Sequence, residues 1–98
     1  MTADPVEAAP NVYRTLFENE RVRLLGVRLA PGDGSAMHGH PDYVIYNLAQ
    51  AKVRFGSPSG ETEEVELPAG AAIWRDAEEH TTENVGTTEA RALLIELK

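Results

Sequence analysis

Apolar and polar residues alternate along this chain in short stretches. In Arg21-Val-Arg-Leu24 the apolar residues occupy even positions, and in Leu25-Gly-Val-Arg-Leu29 they occupy odd ones. A period of two marks a half-buried β-strand, and the change of phase at Leu25-Gly26 predicts a β-bulge there. Ala51-Lys-Val-Arg-Phe55 and Glu63-Glu-Val-Glu-Leu67 alternate cleanly, and Ala90 to Lys98 less strictly. No segment sustains the period of roughly 3.6 residues that an amphipathic helix requires. Turn signals stand between these stretches at Asn19-Glu20, Pro31-Gly-Asp-Gly34, Ser57-Pro-Ser-Gly60, Pro68-Ala-Gly70 and Asn84-Val-Gly86. Short strands at such spacing predict an all-β antiparallel sandwich or barrel. Residues 1–11, with Pro5 and Pro10 set among alanines and acids, read as an extended or irregular N-terminal arm. Residues 12–98 then form the β domain.

Composition narrows the function classes. The chain has 98 residues, enough for one domain with a real core and no second one. No apolar run reaches the length of about eighteen residues that a membrane-spanning helix needs. Acids stand near the start where a signal peptide carries bases, so a cytoplasmic protein is expected. There is no cysteine, which excludes disulfides and thiol chemistry. The net charge of −7 opposes nucleic-acid binding, because phosphate contacts need a basic face. The acidic clusters at Glu61–Glu66 and Asp76–Glu83 read as solvated loops and edge strands.

The candidate chemistry lies in the three histidines. His38 and His40, at i and i+2 on a strand, share one face. His80, about forty residues later, can complete a three-nitrogen site with open positions, as catalytic metals are held. Gly32 stands six residues before His38, and Asn84 four after His80. These spacings resemble the two motifs of the cupin superfamily. Phe17 to Arg23, Pro31 to Asp33, His40 to Asp42 and Leu93 to Lys98 are also similar to segments of small, single-domain bacterial cupins. One departure is plain. The glutamate ligand of the first motif falls at Val44 or Ile45, and neither binds metal.

The resemblance implies a double-stranded β-helix, the cupin jelly-roll barrel, as a single domain and a homodimer. It implies a metal site of His38, His40 and His80, with iron first and zinc, nickel, manganese or copper as alternatives. Imidazole donors suit iron, zinc, nickel and copper and disfavour magnesium and calcium. Continued alternation from the histidines turns Val44, Tyr46 and Leu48 inward, with Trp74 beside them, as the lining of a substrate pocket. Arg75 then faces outward. Asn84 and Asp42 are candidates for supporting the ligands from behind, and Glu78, Glu79 and Glu83 for an acid or base. The expected activity is oxygen-dependent oxidation or cleavage of a small anionic or carbonyl-bearing metabolite. The alternative is a barrel that binds a small ligand or metal without catalysis.

Overall fold

The computed structural model describes residues 3–98; residues 1 and 2 of the expected arm lie outside the described residues. A helical turn, α1 (Pro5–Ala8), leads into nine strands. These are β1 (Tyr13–Glu18), β2 (Val22–Leu29), β3 (His38–His40), β4 (Tyr43–Asn47), β5 (Ala51–Gly56), β6 (Thr62–Leu67), β7 (Ala72–Arg75), β8 (Glu78–Asn84) and β9 (Ala90–Leu97). They pair into a five-stranded sheet, in the order β1-β2-β9-β4-β7, and a four-stranded sheet, in the order β3-β8-β5-β6. Every pairing is antiparallel. The all-β expectation holds. Among the described residues no helix is long and apolar enough to cross a membrane.

The inner faces follow the period of two. On β9, Ala90, Ala92, Leu94 and Glu96 are buried while the residues between them are not; on β5, Ala51, Val53 and Phe55 are. With Leu25, Leu29, Tyr43, Ile45 and Leu67 they form one core between the sheets. Each such apolar side chain contributes on the order of 1.5–3 kcal/mol by leaving water. The turns use glycine where the backbone demands it: Gly32, Gly60 and Gly70 adopt φ of 85°, 91° and 82°, a region that costs other residues a steric penalty.

Two expectations need correction. The bulge lies on β1, where Thr15 pairs with Leu25 and Phe17 with Leu24, leaving Leu16 as the extra residue. The register of β2 against β9 runs unbroken from Val22 to Leu29. The phase change arose because β2 is apolar on both faces. Leu25 and Leu29 are buried inward, while Leu24 lies on the other face and Leu16 lies over Gly26, 3.2 Å from where a Cβ would stand. The arm is not extended. Asp4 caps α1 by accepting from Val6 N at 3.0 Å, and Pro5 supplies a helix-ready φ at its start. Pro5, Ala9 and Val12 are buried against the barrel.

The outer face of the five-stranded sheet is also apolar. Phe17, Leu24, Ile95, Val44 and Trp74 are successive cross-strand partners, one row across all five strands. Leu93 and Tyr46 begin a second row. Phe17 and Trp74 are 53% and 52% exposed, against the general rule that such side chains are covered.

Candidate metal centre

Strand pairing closes the sequence gap between the histidines. His38 and His40 both point inward from β3, and His38 is the direct cross-strand partner of His80 on β8. All three are buried. Their ring centroids lie 4.8, 4.8 and 5.1 Å apart, and one ligand nitrogen of each lies within 4.8 Å of the others.

Neighbouring groups fix which nitrogen of His38 and of His40 faces the centre. His38 Nδ1 donates to the Ala36 carbonyl at 2.7 Å, and a carbonyl can only accept. His40 Nδ1 donates to Glu96 Oε2 at 2.7 Å. The Nε2 atoms of His38, His40 and His80 are buried and meet no hydrogen-bond partner among the described residues. His80 Nδ1 is unpartnered too, and buried imidazoles left without partners are costly in a protein interior; a divalent ion would take one nitrogen from each ring. With metal–nitrogen bonds of about 2.1 Å, seating it requires ring movements of about an ångström or less. The residues fit a transition metal. Burial first, and then the neighbouring His40, hold His80 down to about 3, and burial likewise lowers His38. Both therefore stand ready as neutral ligands near neutral pH.

A polar chain backs the site. Glu96, 2% exposed, takes both the His40 imidazole and the Arg23 guanidinium at 2.7 Å, and Arg23 also holds Asp4 at 2.7 Å. On the other flank Glu78 receives Arg75 and the Tyr43 hydroxyl, at 2.7 and 2.8 Å, and lies 3.5 Å from His80 Nδ1. Burial would raise the Glu78 carboxyl, but Arg75 and Tyr43 outweigh it and bring it down to about 2. Phe55 stacks flat on His80, with ring centroids 4.8 Å apart, and the Arg75 guanidinium covers its other side. Tyr13 packs edge-on to His38 and His40; burial first pushes its hydroxyl up to about 12, so it stays protonated.

The expected pocket lining is not there. Tyr46, Leu48 and Trp74 are exposed on the outer face and Val44 lies in the same outer row, while Tyr43, Ile45 and Asn47 point inward. The reason is local. Pro41 and Asp42 carry the chain from one sheet to the other, which resets the side-chain parity that continued alternation from His40 assumed. Trp74 and Arg75 exchange places because Asp76 and Ala77 carry the chain from β7 to β8 in the other sheet. Asp42 accepts from Ala77 N at 2.8 Å and touches no histidine. Asn84 donates to the Leu29 and Thr88 carbonyls at 2.8 Å each and accepts from Gly86 N, so it braces loops rather than His80. Of the acid or base candidates, Glu83 pairs with Arg54 and Glu78 with Arg75. Glu96, Tyr13, Tyr43 and Phe55 were missed. Glu96 had a signal: it is the charged residue in the buried phase of β9.

Beside His40 and His80 a narrow cavity runs into the core, lined by Ile45, Asn47, Val53, Leu67 and Leu94 among others. Its volume is about 40 Å³. On the far side of His80 an open groove is bordered by Glu61, Glu63, Glu78, Glu79 and Arg75.

No family model and no curated protein sequence matches the chain. Solved structures do. It is similar to a cupin domain from Bordetella pertussis Tohama I, at 27% identity over 100% of this chain and 98% of that one, with a TM-score of 0.81. An RmlC-like cupin family protein with a double-stranded β-helix fold, from Methanocaldococcus jannaschii, aligns at 11% identity over 88% and 78%, with a TM-score of 0.70. A polyketide cyclase from Streptomyces resistomycificus aligns at 24% identity over 96% and 68%, with a TM-score of 0.65.

Proposed function

We propose that this chain, whose fold is the cupin double-stranded β-helix, is a metal-dependent enzyme acting on a small carbonyl-bearing metabolite, with oxygen-dependent oxidation or cleavage as the reaction. The observation that carries the reading is the trio of buried Nε2 atoms without partners. When bound, a divalent transition ion, iron first, supplies Lewis acidity and open positions for substrate and dioxygen. The protein's own part is positional. Glu96 and the Ala36 carbonyl keep the Nδ1 protons of His40 and His38 in place, Phe55 fixes the plane of His80, and the apolar cavity wall excludes water. A carbonyl substrate is favoured over an anion. Glu61, Glu63, Glu78 and Glu79 border the groove outside His80, and its one arginine is already paired with Glu78 and Glu63.

The second reading is a barrel that binds a small ligand or metal without turnover. Its support is that Glu78 and Glu96, the carboxylates touching the histidines, are both taken up by arginines, which leaves neither free as an acid or base. Metal analysis of protein purified without an affinity tag separates the outcomes. Near-stoichiometric metal in the wild type, and little in a His38→Ala/His40→Ala variant, is expected; equal and negligible metal in both removes the cofactor. With metal present, oxygen consumption over a panel of small diketones, hydroxy ketones and thiols is the test for turnover, and none across the panel favours the binding reading.

The working unit is proposed to be a homodimer joined through the outer apolar face. Arg14, Arg28 and Arg91 outnumber Glu89, which pairs with the last two, at one end of that face, while Asp42 and Asp76 stand at the other. A two-fold axis lying across the strands sets the arginine end of each copy against the aspartate end of its partner, which suits a second copy of this chain.

A further inference from the structure

We propose that the Phe55 ring is the door between solvent and the three-histidine centre, and that the Arg75 guanidinium is the bolt that holds it shut. The Nε2 atoms of all three histidines are buried, so part of the wall must move before an ion or a small ligand reaches them. That ligands pass at all rests on the proposed function; which wall yields does not. Among the described residues, three outer depressions share lining with the inner cavity. Two of these walls are fastened through the backbone. At one, Tyr13, Val27 and Ala92 are successive cross-strand partners, so an opening there breaks the ladder of the five-stranded sheet. At the other, His40 shares a depression with Ala3 and Asp4. There Gly39 N donates to the Ala3 carbonyl at 2.8 Å, and Asp4 holds Arg23 at 2.7 Å.

The third wall is closed by side chains. Phe55 and His80 line both the cavity and the open groove outside. Phe55 is 8% exposed and stacks on His80, and the Arg75 guanidinium stands 4.5 Å from its ring centre. An apolar ring has no hydrogen bond to break, and rotation of a side chain is faster than the local unfolding that a backbone opening needs. The groove measures about 270 Å³ against 40 Å³ inside, so the ring has room to swing outwards only. Arg75 lines that groove and covers the ring. Its Nε and Nη2 hold Glu78 at 2.7 and 2.8 Å, while Nη1 reaches Glu63 at 3.3 Å, a carboxylate that is 61% exposed. The bolt is firm on Glu78 and loose on Glu63, because an exposed ion pair holds weakly. The glutamates that border the groove, Glu61, Glu63, Glu78 and Glu79, also draw a cation to this side of the molecule.

The test uses metal-free full-length protein and diethyl pyrocarbonate, which carbethoxylates a neutral imidazole and so reports which ring opens to solvent first. All three histidines of the chain belong to the site, and peptide mass mapping of partly labelled protein tells them apart. In the wild type His80 is expected to be labelled before His38 and His40. Arg75→Lys keeps a charge opposite Glu78 and loses the flat cover on the ring. It should speed labelling of His80 about threefold, and Phe55→Ala about tenfold or more. Asp4→Ala, which frees the N-terminal segment, should leave the His80 rate unchanged. If Phe55→Ala does not fold, the wild-type order and Arg75→Lys still decide. Labelling that begins at His38 or His40, or a His80 rate indifferent to Arg75→Lys, overturns the proposal. So does a His80 rate raised by Asp4→Ala, or a folded protein that never reacts while the urea-unfolded chain does. Failure of metal loading would instead sink the enzymatic reading and leave this measurement untouched.

Discussion

Glu96 sits where the alternation along β9 calls for an apolar side chain, and it stays there because Arg23 and His40 meet both of its oxygens. A carboxylate behind a ligating imidazole fixes its tautomer and strengthens its donor nitrogen. Glu96→Gln keeps the shape and loses the charge. It is expected to weaken metal binding about tenfold to a hundredfold, read by competition with a chromophoric chelator, while the circular dichroism spectrum stays unchanged. Unaltered affinity would reduce Glu96 to a packing role. The histidines were legible in the sequence because they were the only ones and stood at motif spacings. Phe55 was not legible, since its part depends on His80 and Arg75, which reach it from two other strands.

Strands were read from the sequence by a single property, the period of two, and that property succeeds wherever one face is wet. It placed β5, β6 and β9 well. It failed on β2, whose two apolar faces imitate a bulge, and on α1, whose four residues are too few to display a helical period. It also failed at Pro41-Asp42, where a change of sheet is invisible to local alternation. The last failure has a direct test, because it decides which residue stands where the motif's carboxylate belongs. Ile45 lines the cavity with His40 and His80, while Val44 pairs with Trp74 on the outside. Ile45→Glu is expected to raise affinity for iron or manganese by tenfold or more, and to make folding depend on metal, since the added carboxylate is otherwise buried and unpaired. Val44→Glu should leave metal binding unchanged. Isothermal titration of both variants with manganese distinguishes the two assignments.

At the scale of the whole molecule, core and surface trade roles on the five-stranded sheet. Its outer wall carries Leu16, Phe17, Tyr46, Leu48, Trp74 and Leu97, the large apolar side chains exposed among the described residues. Covering them with a second copy should give a dimer in sedimentation velocity at micromolar concentration. Trp74 is the chain's one tryptophan, so its fluorescence should shift to the red on dilution to monomer. Trp74→Glu with Phe17→Glu should yield a monomer that still loads metal. A double variant that remains dimeric assigns the contact to another face, and a wild type that is monomeric at every concentration removes the dimer.

One guanidinium also ties residue 4 to residue 96. Arg23 grips Asp4 and Glu96 at the same distance, so the first helical turn and the last strand are stapled together just behind the His40 imidazole. The chain therefore closes into a near-loop at its most sensitive point. A few residues of linker would make the loop covalent. Anything that loosens the staple therefore reaches His40 first, through Glu96.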